Sequence, residues 1–198
     1  MKMKNIKMLL SLAVFALFGL TSCDESSEPG EFDNWQVRNT QYIDSIATVA
    51  RADKSGEWKV FLDNRIPDTV KVWGNECYVY CQVIKEGEGT SHPLYTDSVV
   101  VNYSGRLIPS MTYPDGYQFD SSFKGEMNPS FNVPTTLPLS GTVIGFCTAL
   151  QQMTDGDIWK VYIPYQLGYG ENGSSGIPAY STLIFDINLV SFHRQSIN

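Results

Sequence analysis

The stretch "VIGFCTALQQMTDGDIWKVYIP", Val143 to Pro164, contains the two patterns that decide the fold of this chain. Its first half, from Gly145 to Met153, is the one short segment among the strand patterns that can form a helix. Its second half, from Ile158 to Pro164, is rich in β-branched and aromatic residues and therefore predicts a strand.

Strand patterns with a period of two begin at Trp58 and continue on both sides of this stretch. They are clearest in "CYVYCQVI" (Cys77 to Ile84), "SVVVNYSGRL" (Ser98 to Leu107) and "STLIFDINLVSF" (Ser181 to Phe192), which turn-forming residues separate. Five or six antiparallel strands with a single short helix predict an α+β domain and not a βαβ repeat.

A second helical pattern precedes the strands. Asp33 and Gln36 have the spacing of a capping box, and the pattern ends at Ser55-Gly56, so we expect one amphipathic helix of about 18 residues. Such a helix is marginal in isolation, so it is expected to dock on its own domain or on a second copy of the chain. Its apolar stripe consists of Trp35, Tyr42, Ile43, Ile46, Val49 and Ala50.

The first 22 residues have the pattern of a secretory signal. Three lysines precede an apolar run from Met8 to Leu20, which is too short to span a membrane. The run ends at Leu20-Thr21-Ser22-Cys23, which resembles the bacterial lipobox and implies that Cys23 is lipidated as the first residue of the mature protein. An ordinary signal with a chance cysteine, or an anchor that is not cleaved, is the alternative.

The remaining chain divides into three predicted parts. Residues 23–31 are polar, acidic and interrupted by proline and glycine, as expected of a solvated tether. Residues 32–75 are a helical extension, and residues 76–198 are the main domain. The formal net charge is −7, and loss of three lysines with residues 1–22 makes it −10, which disfavours a nucleic-acid partner.

Cysteine and histidine spacing predicts no metal site and no disulfide between the nearest pair. Cys77 and Cys81 share a face of a predicted strand about 13 Å apart, too far to bridge each other. Together with Cys147 they are predicted to be buried free thiols. The two histidines, His92 and His193, lack ligand-like spacing.

Five fragments occur in the order and approximate spacing of an FKBP-type peptidyl-prolyl isomerase, and the chain resembles that family over roughly residues 76 to 193. Each fragment alone is a weak signal, whereas five in order are specific. They are "DSVVVNYSGRL", "GYQFDSSF", "VIGFCTALQQMTDGDIWKVYIP", "LGYGENG" and "GIPAYSTLIFDINLV".

The resemblance implies an antiparallel half-barrel wrapped around the short helix, with an apolar pocket between them. Asp120 would then accept a hydrogen bond from Tyr103 and orient a pocket wall, whereas by itself it also fits a turn formed with Ser121 and Ser122. The implied catalytic residues are Tyr103, Phe119, Asp120 and Tyr169, and the implied substrate-binding residues are Phe131, Val143, Ile144, Phe146, Ile177 and Phe185.

The implied activity is cis-trans isomerisation of peptidyl-prolyl bonds in exported proteins, without cofactor or metal. Peptide-bond rotation faces a barrier of about 18–20 kcal/mol, which a desolvated pocket lowers by favouring the twisted amide. By resemblance the Val143 N–H and the Tyr169 hydroxyl would hold peptide carbonyls, and Phe146, where the family commonly has tryptophan, would form the proline floor.

A non-catalytic peptide- or protein-binding module of the cell envelope is the alternative function. The long segment 106–118 either extends the substrate groove or fills the site with Tyr113 or Pro114. The implied partners are proline-containing peptides or unfolded exported proteins, with the membrane contacted through a lipid anchor only. The implied location is the cell envelope, either facing the periplasm or anchored to the outer membrane.

Overall fold

The computed structural model describes residues 30–67 and 73–195. Their helices are α1 (Trp35–Ala52) and α2 (Ile144–Leu150), and single 3-10 turns occur at Asn75–Cys77, Leu139–Gly141 and Tyr165–Leu167. The strands are β1 (Trp58–Leu62), β2 (Tyr78–Lys85), β3 (Ser98–Arg106), β4 (Gln118–Ser121), β5 (Thr135–Pro138), β6 (Ile158–Ile163) and β7 (Leu183–His193).

All seven strands belong to one antiparallel sheet in the order β1-β2-β6-β7-β3-β4, with β5 also paired to β3. The sheet is not closed into a barrel, and the α+β class expected from the sequence is confirmed. The predicted number of strands was too low. Strands β4 and β5 have four residues each and pair with different halves of β3, so neither is long enough for a clear alternating pattern.

The two helices pack on opposite faces of the sheet at β6. Tyr42 of α1 contacts Tyr162, with ring centroids 6.3 Å apart. Gly145 of α2 lies so close to Ile163 that a side chain at this position would collide with the isoleucine. Because neighbouring residues of a strand point to opposite faces, Tyr162 and Ile163 mark the two sides of the sheet. The absence of a side chain at Gly145 therefore allows the short helix to pack close to the sheet.

Helix α1 docks on the sheet of its own chain, burying Trp35, Asn39, Ile43, Ala47 and Ala50. The predicted stripe was wrong at Val49, which is 53% exposed. The helix begins one residue later than the predicted capping box implies, because Asn34 is the N-cap and makes no side-chain capping bond. The chain enters the helix through the left-handed conformation of Asn34 (φ 53°), which asparagine tolerates better than most residues.

The residues before position 76 also supply an edge strand, since β1 pairs with β2. Cys81 and Cys147 are buried free thiols, and Cys77 is a half-buried one that lies in a 3-10 turn and not in β2. The predicted signal, the Cys23 lipidation site and nearly all of the acidic tether lie outside the described residues. Within residues 30–67 and 73–195, neither helix has the length and apolar character needed to cross a bilayer.

Candidate active site

A cavity of about 320 Å³ lies between the start of α2 and the strands β3, β4, β5 and β7. The 3-10 turn before α2 and the loop before β7 complete its wall. We call this loop, residues 168–182, the rim loop. The cavity is lined by Tyr103, Asp120, Leu137, Gly141, Thr142, Val143, Phe146, Tyr169 and Phe185.

Edge-to-face aromatic packing builds the base of the cavity. Phe146 and Phe185 have ring centroids 5.0 Å apart at an interplanar angle of 70°, and Tyr103 packs on Phe146 at 5.9 Å and 77°. Phe119 packs on Phe185 at 5.6 Å and 88°. Each such pair contributes roughly 0.5–1.5 kcal/mol beyond its buried area, so the rings fix one another in position.

Gly105 of β3 makes this aromatic cluster possible. A Cβ atom at this position would come within 2.6 Å of the rings of both Phe119 and Phe185. Such contacts are shorter than real Cβ atoms tolerate, so a larger residue would displace the two rings. The rings therefore sit directly over the backbone of β3.

Asp120 and Tyr103 form the polar edge of the cavity. The Tyr103 hydroxyl donates a hydrogen bond of 2.7 Å to Oδ2 of Asp120, and the Ser121 backbone N–H donates one of 2.8 Å to Oδ1. Asp120 thus makes both the tyrosine contact implied by the family resemblance and a local turn contact. Burial, followed by the hydrogen bond to Asp120, raises the pKa of Tyr103 well above its usual value.

Tyr169 presents a second phenol at the mouth of the cavity, where its side chain is 38% exposed. Partial burial, with a smaller contribution from the negative charge of Asp120, raises the pKa of Tyr169. Both tyrosine hydroxyls therefore stay protonated at neutral pH and act there as neutral hydrogen-bonding groups.

Residues 89–190 match the family described as FKBP-type peptidyl-prolyl cis-trans isomerase. The chain belongs to this family. It is 41% identical over 115 residues to the peptidyl-prolyl cis-trans isomerase Mip of Coxiella burnetii, a match covering 58% of this chain and 44% of that protein. It is 37% identical over 136 residues to the macrophage infectivity potentiator of Trypanosoma cruzi, covering 67% of this chain and 62% of that protein.

A crystal structure of FkpA from Escherichia coli has a similar fold, with a TM-score of 0.58 and 27% identity. That match covers 96% of this chain and 74% of the FkpA chain. The chain spans about half the length of the curated relatives it matches, from 44% to 62% in the two cases above. These comparisons confirm the FKBP-like fold class and family.

Six of the residues expected from the FKBP resemblance line the cavity, namely Tyr103, Asp120, Val143, Phe146, Tyr169 and Phe185. Phe119 packs behind Phe185. Ile144 lines a different cavity beside Cys147, Ile177 is buried within the rim loop, and Phe131 is 83% exposed. The structure does not place these last three among the lining residues of the cavity.

Three residues of the lining were not predicted, namely Leu137, Gly141 and Thr142. They belong to β5 and to the turn that precedes α2, where neither periodicity nor a charged side chain marks a site in the sequence. Their closeness in sequence to Val143 was the only available signal.

The long segment between β3 and β4 folds on itself. Tyr113 packs on Tyr117 with ring centroids 5.1 Å apart, and its carbonyl accepts hydrogen bonds from the backbone of Ser110 and Gly116. Neither Tyr113 nor Pro114 belongs to the cavity lining, so this segment does not fill the site. In the described part of the chain, no group of three or more histidine, cysteine or acidic residues is placed to hold a metal ion.

Proposed function

We propose that this protein catalyses the cis-trans isomerisation of peptidyl-prolyl bonds in exported polypeptides. The observation that carries the proposal is the open, aromatic cavity with the hydrogen-bonded Tyr103–Asp120 pair at its edge. Membership of the FKBP family supports the same activity.

The mechanism relies on shape and desolvation. The planar amide is more polar than the twisted one, so water stabilises it preferentially, and an apolar cavity removes that stabilisation. Phe146, which is 3% exposed, provides the surface for the proline ring between Tyr103 and Phe185. A nucleophile or a general base is not needed, because no covalent bond other than the rotating amide changes order.

The Tyr103–Asp120 hydrogen bond has a positioning role in this mechanism. It holds the Tyr103 ring against Phe146, so the wall keeps its shape when a substrate enters. In this proposal the Tyr169 hydroxyl donates a hydrogen bond to a carbonyl of the peptide next to proline, which its position in the cavity lining supports. The Val143 N–H, at the start of α2, is assigned the second peptide carbonyl.

Membership of the FKBP family favours catalysis over the alternative of a non-catalytic binding module, and the open cavity can admit a peptide. A plugged site would place Tyr113 or Pro114 inside, whereas both remain outside the lining. A protease-coupled assay with short Xaa-Pro peptides tests the proposal. Acceleration of cis-to-trans conversion above the spontaneous rate is expected, and peptide binding without acceleration would instead support the binding module.

We also propose that the mature protein is an envelope lipoprotein attached to the membrane through Cys23. The basis is the order of three lysines, an apolar run and a sequence that resembles the lipobox. Cell fractionation of Cys23→Ala should show its release from the membrane fraction. A Ser22→Ala variant is a matched control that keeps the cysteine. A Cys23→Ala protein that remains as membrane-bound as wild type would contradict the anchor.

A further inference from the structure

The N-terminal helix α1 contacts the rim loop through buried hydrogen bonds. The indole N–H of Trp35 donates 2.9 Å to Oγ of Ser181, and the backbone N–H of Thr182 donates 2.7 Å to Oδ1 of Asn39. Trp35 is 7% exposed, Ser181 is 3% exposed, and Asn39 and Thr182 are fully buried. These bonds join residues 146 and 143 positions apart.

Asn39 is an unusual residue for the interior of a helix, because its side chain competes for backbone hydrogen bonds and lowers helix propensity. Here both polar atoms of the side-chain amide, Nδ2 and Oδ1, make hydrogen bonds. Its Nδ2 donates 2.7 Å to the Trp35 carbonyl one turn earlier, which aims Oδ1 at Thr182. Thr182 lies just beyond the last sheet pair, Ile163 with Leu183, so Asn39 provides the acceptor that a neighbouring strand does not.

The anchored residues connect directly to the part of the loop that carries Tyr169. The Ser181 hydroxyl donates 2.7 Å to the Pro178 carbonyl, and the Tyr180 N–H donates 3.0 Å to the Gly170 carbonyl, next to Tyr169. Tyr180 itself has a left-handed backbone (φ 62°), which is strained for a residue with a bulky side chain. Such a conformation persists only when the surrounding structure holds it in place.

We infer that Trp35 and Asn39 are positioning residues of the active site, which fix the base of the rim loop and thereby the Tyr169 hydroxyl at the cavity mouth. Surface loops open locally at little cost unless buried contacts hold them. A hydrogen-bonding group acts on a bound peptide only when its own support is rigid. The helix thus adds a rigid support for the loop outside the cavity. This inference rests on the proposed isomerase function.

Trp35→Phe is the most selective test, because it removes the indole N–H and keeps an aromatic ring against Phe32. We expect kcat/KM for a short Xaa-Pro peptide to fall about three- to tenfold. The reason is that a Tyr169 hydroxyl that is less firmly held aligns less often with the peptide. Asn39→Ala should give the same or a larger loss. Ala47→Gly is the matched control, since Ala47 is buried on the same helix but lies about 12 Å along it from Asn39.

A double-mutant cycle distinguishes positioning from general destabilisation. If α1 acts through Tyr169, the loss caused by Tyr169→Phe should be much smaller in the Trp35→Phe background than in the wild type. The Ala47→Gly variant should lower the melting temperature, keep its activity well below that temperature, and leave the effect of Tyr169→Phe unchanged. Additive losses for Trp35→Phe and Tyr169→Phe would overturn the inference.

Hydrogen exchange of the Tyr180 and Thr182 amides gives a second measurement that needs no turnover. Exchange at both should accelerate in Trp35→Phe and Asn39→Ala and stay unchanged in Ala47→Gly. Unchanged exchange in the first two variants would refute the anchoring even if the enzyme is active. A wild type without isomerase activity would refute the proposed function, and the exchange rates would still decide whether the helix anchors the loop.

Discussion

The aromatic cavity and the junction between α1 and the rim loop are held together by different forces. At the cavity, the rings of Tyr103, Phe146 and Phe185 pack edge to face. One hydrogen bond, from Tyr103 to Asp120, orients the polar edge. At the junction, small polar side chains are buried and each is hydrogen-bonded. Packing sets the shape of the cavity, whereas directional bonds set the position of the loop.

The difference has an energetic consequence. Loss of a ring from the cavity leaves a void whose cost grows with its volume, and the site can lose its shape. Loss of one partner at the junction leaves a buried backbone or side-chain group without a hydrogen bond, which costs less but acts on a single loop. Substitutions in the two regions should therefore differ in the size of their effect on stability and in the part of the molecule that they affect.

Phe185→Ala should have the largest effect. Phe185 is 5% exposed and contacts three other rings, so its truncation should lower the free energy of unfolding by about 3–5 kcal/mol and abolish measurable isomerisation. Urea denaturation and the peptide assay measure the two effects. Phe131→Ala is the control, because that ring is 83% exposed. Equal effects of the two substitutions would contradict the aromatic cavity as the reacting site.

Asn39→Ala should have an intermediate effect on stability. It leaves the buried Thr182 N–H without its acceptor, and we expect a loss of about 1–3 kcal/mol in the free energy of unfolding. Thr40→Ala, at an exposed position of the same helix, should change stability by far less. A thermal or urea melt decides between them, and equal stability of Asn39→Ala and wild type would show that the junction is not a directional contact.

Tyr169→Phe should have a smaller effect that is confined to turnover. It removes one hydroxyl from a side chain that is 38% exposed, so the melting temperature should stay within error of wild type. We expect kcat/KM to fall by a factor of about 5–30, as for the loss of a single hydrogen bond worth roughly 1–2 kcal/mol. Unchanged kcat/KM would remove Tyr169 from the mechanism.

The smallest expected effect is that of pH between about 6 and 8 on kcat/KM. The pKa values of Tyr103 and Tyr169 are raised, so both hydroxyls are protonated below those values and neither titrates as the solution passes through neutrality. Asp120→Asn should reduce the rate moderately and leave the profile flat. A bell-shaped profile near neutrality, with near-complete loss in Asp120→Asn, would indicate acid–base catalysis and refute the desolvation mechanism.

The two regions also differ in how far the sequence predicts them. Ser98–Leu107 and Ile158–Pro164 were recognised as strands because the period of two is a local property of the chain. Most cavity residues were found by resemblance, since the fragments that carry Tyr103, Asp120 and Tyr169 occur in a fixed order. The same resemblance predicts Phe131 at the cavity, but in the fold its ring is 83% exposed.

The junction gave no comparable signal. Asn39 is a single polar residue in a helical pattern, and its partner Thr182 follows 143 positions later. No local rule connects two such residues, because their meeting depends on the crossing of α1 over the finished sheet. Trp35 was predicted to lie on the apolar stripe, and its second role as a hydrogen-bond donor to Ser181 became visible only in the fold.

The separation between Trp35 and Ser181 also bears on the order in which the molecule assembles. The residues of α1 leave the ribosome well before their partners, because Ser181 follows Trp35 by 146 positions and Thr182 follows Asn39 by 143. Contacts that close long loops form slowly, because the entropy of closure is lost before the contact is gained. A nascent or truncated chain that stops before position 181 therefore leaves the Trp35 indole and the Asn39 amide without these partners, and only a chain that extends past Thr182 can bury both groups.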